Sequence, residues 1–269
     1  MKRLLLTATT VLMLSIGTTW AGPFEDGVAA RNRGDYAIAL KTFRTLATQG
    51  NAMAQSNLGF MYENGEGVAI NYAESAKWYR LAAAQGLAIA QFNLGVRYEK
   101  GQGVKKDYAE AVRLYRLSAV QGHAAAQLNL GASYVDGRGV TQDHAEAAKW
   151  YRLAAAQGKA LAQSNLGTMH YLGKGVVQNY AEAVKWYQLA AEQGNEEAQK
   201  NLGFMYLLGQ GVAQNFVLAH MWSSLGAVSG DVAAVKNRDI AASNMTTQQI
   251  AQAQKMSRDC QQRNFKGCG

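Results

Sequence analysis

Residues 71–106, NYAESAKWYRLAAAQGLAIAQFNLGVRYEKGQGVKK, are one period of a pattern that returns every 36 residues without an insertion across most of the chain. Four glycine rows keep the register. They are Gly59, Gly95, Gly131, Gly167 and Gly203; Gly65, Gly101, Gly137, Gly173 and Gly209; Gly67, Gly103, Gly139, Gly175 and Gly211; and Gly50, Gly86, Gly122, Gly158, Gly194 and Gly230. A unit repeated in this way is one supersecondary element that cannot bury its apolar face alone, so neighbours must stack into a solenoid. Function is then expected on a surface.

Inside the unit, Asn71 and Glu74 predict a helix start, with Asn71 accepting from a free backbone N–H and Glu74 reaching back to complete a capping box. Asp35, Asp107, Asp143, Asn179 and Asn215 hold the same cap position, and Glu110, Glu146 and Glu182 the same third helical position. That assigns the carboxylates to structure rather than catalysis. Tyr72, Ala76, Tyr79 and Ala83 recur at steps of three and four, predicting a buried stripe widened by Trp78 and Ala82. Gln85-Gly86 ends the helix, and a second one from Ala88 to about Glu99 turns Ala90, Leu94 and Tyr98 inward. Gly95 lies within that second helix, where glycine costs about 1 kcal/mol relative to alanine, so its fivefold recurrence predicts a close approach of two helices. The Gly101-x-Gly103-Val104 segment lacks the strand, third glycine and lysine of a phosphate-binding loop.

The unit Ala90-Gln91-Phe92-Asn93-Leu94-Gly95-Val96-Arg97-Tyr98, then Gly101-x-Gly103-Val104, then Asp107-Tyr108-Ala109-Glu110-Ala111 with Tyr115, resembles the Sel-one-like repeat, a relative of the tetratricopeptide repeat. Trp78-Tyr79, Trp150-Tyr151 and Trp186-Tyr187 strengthen the likeness, which spans about Phe24 to Met256. It implies an all-α, right-handed α-solenoid of stacked antiparallel helix pairs. The expected layout is a half-repeat cap over 22–50, five complete repeats over 51–230, and a partial repeat with a capping helix and tail over 231–269. Family members serve as interaction scaffolds in protein complexes, including bacterial secretion and host contact. One cysteine-rich branch is described as penicillin-binding with weak β-lactamase activity and has a disulfide within each repeat. This chain has no cysteine inside its repeats.

The ends add a location. Met1-Lys2-Arg3, an apolar run from Leu4 to Ile16 and Thr19-Trp20-Ala21 read as a secretory signal peptide over 1–21, which places the mature protein in the periplasm or outside the cell. The apolar run is too short to span a bilayer, and no later segment comes close. Cys260 and Cys268 lie beyond the last repeat and can close as a disulfide in an oxidising compartment. Without Lys2 and Arg3 the chain has 25 basic and 19 acidic residues, a formal +6. The signs alternate along the helices and no nucleic-acid reading motif accompanies them, so no nucleic-acid partner is expected.

Internal comparison of the repeats separates constant from varying positions. By similarity to tetratricopeptide solenoids, the Asn-Leu-Gly helices line the concave side, where the varying rows include Phe60, Val96 and Phe204; Phe92, Leu128 and Lys200; and Glu63, Glu99 and Tyr171. Scattered aromatics with changing polarity suit a peptide or protein segment, and equally suit packing of several of these residues against the adjacent repeat. Asn93, Asn129, Asn165 and Asn201, with Asn57, fall where related modules contact a bound peptide. Their regularity favours instead a structural tie from one repeat to the next. On the other helices, Lys77, Arg113, Lys149 and Lys185 follow Glu74, Glu110, Glu146 and Glu182 by three residues and read as a solvated face. His123, His144, His170 and His220 show no metal-binding spacing and read as packing variants. No serine has a lysine three residues later, and Lys-Thr-Gly is absent, so the β-lactamase alternative lacks its nucleophile motif. No catalytic residue, metal or cofactor is expected.

Overall fold

A computed structural model describes residues 22–268, so the expected signal peptide lies outside the described residues. Among them the secondary structure is entirely helical: α1 (Pro23–Asn32), α2 (Tyr36–Thr48), α3 (Ala52–Asn64), α4 (Tyr72–Ala84), α5 (Ala88–Lys100), α6 (Tyr108–Ala119), α7 (Ala124–Asp136), α8 (His144–Ala156), α9 (Ala160–Leu172), α10 (Tyr180–Ala191), α11 (Glu196–Leu208), α12 (Phe216–Gly226), α13 (Val232–Ser243) and α14 (Thr247–Gln262). Each helix packs on its neighbours in chain order, α3 on α4, α4 on α5 and so on to α12 on α13, while α14 folds back onto α12. This is an α-solenoid.

The interior glycine of each Asn-Leu-Gly helix explains the pairing. A Cβ on Gly95 would sit 2.8 Å from the Tyr115 ring and 3.3 Å from the Ala111 carbonyl, and Gly59, Gly131 and Gly167 meet Tyr79, Tyr151 and Tyr187 in the same way. The rings of Tyr79, Tyr115, Tyr151 and Tyr187 therefore pack on a glycine window in the helix before them. At Gly203 the partner is Ser223, and the large side chain moves to its neighbour: Trp222 is fully buried, unlike Trp78, Trp150 and Trp186. The expected stripe shifts accordingly, with Ser75, Ala76, Tyr79 and Ala82 buried and Tyr72 and Ala83 only partly so. Gly103 has φ +72° and stands directly on the carbonyl of Tyr72 in the preceding repeat, which excludes any side chain.

The capping boxes expected within the repeats do not form. Asn71 accepts from the Ala73 and Glu74 N–H groups, as expected, but its own N–H donates to the Tyr62 carbonyl at 2.9 Å. Asp107, Asp143, Asn179 and Asn215 likewise donate to carbonyls of Tyr98, Tyr134, His170 and Tyr206. With that donor already satisfied, the glutamates turn outward and pair with Lys77, Arg113, Lys149 and Lys185. Asp35 makes no cap bond and pairs with Arg33 instead. Thr246 and Gln249 do complete a capping box on α14. Cys260 and Cys268 form a disulfide that joins this tail to the last core cluster, beside Met221 and Trp222.

Candidate functional site

Along the Asn-Leu-Gly helices α3, α5, α7, α9 and α11, one position per helix changes chemistry from one end of the array to the other. Glu63 accepts from the Tyr79 hydroxyl at 2.9 Å and from the Arg97 guanidinium at 2.8 Å. Glu99 accepts from the Tyr115 hydroxyl at 2.5 Å and lies 3.6 Å from Arg138. Burial, reinforced by these carboxylates, holds the Tyr79 and Tyr115 hydroxyls far above the ordinary phenol pKa. Glu66 pairs with Arg31, whose guanidinium stacks 4.2 Å above the Phe60 ring. Glu63, Glu66 and Glu99 of the first two repeats are thus committed to partners within the fold.

From the third repeat onward the same position holds Val135, Tyr171 and Leu207. Tyr187 donates to Thr168 at 3.1 Å instead of to a carboxylate. Burial pushes the Tyr151 and Tyr187 hydroxyls up to about 12. Two open depressions lie here. One, of about 180 Å³, is lined by Val135, His144, Tyr151, Asn165, Thr168, Met169, Leu172 and Lys174. The other, of about 580 Å³, is lined by Phe204, Leu207, Leu208, Gln214, Phe216, Ala233, Lys236, Asn237, Ile240 and Asn244. Tyr171, next to Leu172, meets Phe204 edge-on with ring centres 6.4 Å apart and packs on Tyr180 at 5.5 Å.

The sequence-derived candidates divide along this line. Phe204 lines the larger depression and Asn165 the smaller, with Tyr171 between repeats. Phe92, Val96 and Leu128 are half-buried against the central core, and the Phe92 ring lies 4.8 Å from His123 and 5.8 Å from Tyr115. Lys200 bonds Glu197 and Asp231, fastening α11 to the start of α13. The asparagines are half-buried. Asn57 bonds back to the Met53 carbonyl, and Asn129, Asn165 and Asn201 face the hydroxyls of Tyr115, Tyr151 and Tyr187. Asn93 is half-buried on α5. Among the described residues no group of three or more His, Cys, Asp or Glu side chains could hold a metal ion, and no helix is long and apolar enough to cross a membrane.

Five consecutive segments, residues 52–87, 88–123, 124–159, 160–195 and 196–231, match the Sel1 repeat. The chain belongs to the Sel1 repeat family. Among solved structures, a Sel1 repeat protein from Oxalobacter formigenes is 36% identical with a TM-score of 0.75, over 81% of this chain and 87% of that one. A protective antigen of uropathogenic Escherichia coli with an SLR fold is also 36% identical, with a TM-score of 0.79, over 90% of this chain and 53% of its own. The present chain thus spans about half the length of that antigen. No curated protein has a matching sequence. Sel1 repeat proteins are usually protein-interaction scaffolds.

The tie between successive Sel1 repeats is a glutamine ladder that sequence reasoning passed over. Buried Gln127 donates to the Ala119 carbonyl at 3.1 Å and accepts from Gln157 at 2.8 Å; Gln55, Gln91 and Gln163 repeat the pattern with Gln85, Gln121 and Gln193. The signal was present as two glutamine rows at the repeat spacing, each as regular as the asparagine row. His123, read as a packing variant, caps α7 by accepting from the Ala126 N–H, and burial together with Lys159 lowers its pKa.

Proposed function

We propose that this Sel1 repeat protein is a non-catalytic scaffold that binds a protein or peptide segment on its Asn-Leu-Gly helices, with apolar anchors seated in the third to fifth repeats and α13. The observation that carries this reading is the depression formed by Phe204, Leu207, Phe216 and Ile240 beside Tyr171. Its apolar walls supply binding energy, while Lys236 and Asn237 at the same site offer charge and hydrogen bonding. In the first two repeats the corresponding groups are already paired, so a partner would have to break ion pairs to gain contacts there. Export to the periplasm or beyond is part of the proposal. It is supported by the amino-terminal signal pattern, by the Cys260–Cys268 disulfide and by the likeness to a protective antigen.

The test uses peptides selected by display against purified residues 22–269. Phe204→Ala and Ile240→Ser are each expected to weaken the selected peptides about tenfold, with the helical spectrum unchanged. Peptides that bind both variants as tightly as the parent would move the site elsewhere. Turnover of a chromogenic β-lactam, lost on changing one side chain, would replace the scaffold reading with the hydrolase alternative.

A further inference from the structure

The Trp-Tyr helices suggest a second site, in a different place and of different chemistry. At one position they read Trp78, Leu114, Trp150, Trp186 and Trp222, so the tryptophan row is interrupted once. Trp78 packs on the core of the repeat before it, and Leu114 occupies the same place against Leu94 and Ala82. Leucine is much smaller than an indole, and a depression of about 420 Å³ lies against Leu114, its floor formed by the buried Leu94 and Leu114 and its walls by Arg80, Tyr98, Leu117 and the Glu110–Arg113 pair.

A second irregularity falls in the same repeat. The loop positions after the Gly-x-Gly-Val segment read Ala69-Ile70, Lys105-Lys106, Thr141-Gln142, Val177-Gln178 and Ala213-Gln214, so only this loop carries two cations. Lys105 and Lys106 line a shallower depression of about 700 Å³ that shares Arg80 and Tyr98 with the first, so the two are contiguous. The nearby acids are already engaged: Asp107 caps α6 and Glu110 pairs with Arg113. Among the described residues Arg80, Lys105 and Lys106 have no carboxylate partner within 4.0 Å. Arg80 instead donates to the Tyr98 hydroxyl, and the Lys106 ammonium lies 4.7 Å over the Tyr108 ring.

We propose that this depression binds a linear segment of a partner protein that places a tryptophan side chain over Leu114 and carboxylates on Arg80, Lys105 and Lys106. The chain itself supplies the template, because Trp78, Trp150 and Trp186 fill the corresponding place in other repeats. The unpaired cations select the flanking charge, since a rim of one sign attracts and orients a segment of the other.

The probe is a short acetylated peptide with tryptophan flanked on both sides by aspartate and glutamate, titrated into the protein while the Leu94 and Leu114 methyl resonances are followed. Saturable shifts of these methyls are expected, and replacing the tryptophan of the probe with alanine should weaken binding about tenfold or more. Leu114→Trp fills the depression as its neighbours do, and is expected to abolish binding while the thermal midpoint holds. If that variant does not fold, Lys105→Thr with Lys106→Gln, both exposed, still tests the charge. That pair should bind more weakly and with less dependence on salt. The proposal is overturned if the tryptophan and alanine peptides bind alike, or if neither the Leu114 variant nor the lysine pair weakens binding. It is also overturned if phosphatidylglycerol vesicles bind through the lysines and displace a peptide whose tryptophan makes no difference.

Discussion

Glu63 near the end of α3 and Tyr171 near the end of α9 occupy the same place in their repeats, yet one is locked into the fold and the other turned toward its neighbours' aromatic rings. The reason lies one repeat further on. Glu63 faces Arg97, which interrupts a row otherwise read as Met61, Ser133, Met169 and Met205 and whose side chain is only 5% exposed. Tyr171 packs on the core cluster that holds Met205, the corresponding member of that row, where methionine brings no charge. A regular backbone can therefore carry a self-satisfied polar stretch and an unsatisfied apolar one in series, and along the Asn-Leu-Gly helices only the second has free energy to offer a partner.

The sharpest test of this contrast removes one member of the pair. Glu63→Ala leaves the Arg97 charge buried without its carboxylate and is expected to cost about 3 kcal/mol, near the low end for a buried pair because Glu63 keeps some exposure. Tyr171→Ala, at a half-buried ring, should cost about 1–2 kcal/mol while weakening partner binding more than Glu63→Ala does. Denaturant unfolding with unchanged m-values measures both. Equal stability losses would erase the distinction between the two segments.

A smaller difference separates the tyrosines on the glycine windows. Tyr115→Phe removes the donor to Glu99 and should cost about 1–2 kcal/mol, whereas Tyr151→Phe removes no such bond to a carboxylate and should cost about 0.5 kcal/mol or less. Their alkaline behaviour follows with a definite sign. A phenol whose folded pKa lies above its unfolded value of about 10 contributes stability fully below pH 10 and loses it as pH rises toward the folded pKa. For Tyr151 and Tyr187 that window runs from pH 10 to about 12. For Tyr79 and Tyr115 it extends further. Absorbance titration of the phenolates should show Tyr151 and Tyr187 ionising before the other pair, and Phe variants remove each contribution singly.

The architecture was legible because every level of the sequence repeats it: glycine windows, cap residues, Trp-Tyr pairs and the αL glycines all point to one helix pair per 36 residues. The capping boxes were misread because local spacing cannot show that a carbonyl of the previous helix, such as that of Tyr62, already holds the N-cap donor. Binding residues were only partly legible. Phe92 and Phe204 look alike in sequence, but His123 and Tyr115 close over the first, while the change of α13 from the repeat pattern leaves the second beside Ile240 and Lys236. The glutamine ladder was not legible because glutamine and asparagine rows at one spacing offer the same amide donors and acceptors, and only the packed helices show that Gln55, Gln91, Gln127 and Gln163 meet the carbonyl and glutamine of their neighbours.

The smallest expected effect serves as a control on the comparison. Glu74 and Glu182 each pair with a lysine three residues on, at positions where both side chains remain well exposed, with side-chain exposures of 57% and 36% for Lys77 and Glu74 and 68% and 36% for Lys185 and Glu182. Solvent and salt screen such pairs, so Glu74→Ala and Glu182→Ala should each cost about 0.3–0.5 kcal/mol and should agree with one another, although one lies toward each end of the array. Agreement would show that the contrast between the two segments belongs to the row containing Glu63 and Tyr171 and not to a general gradient in repeat stability. If Glu74→Ala proved as costly as Glu63→Ala, the outward glutamates would be completing the caps after all, and the assignment of the N-cap donors to the preceding helix would fail.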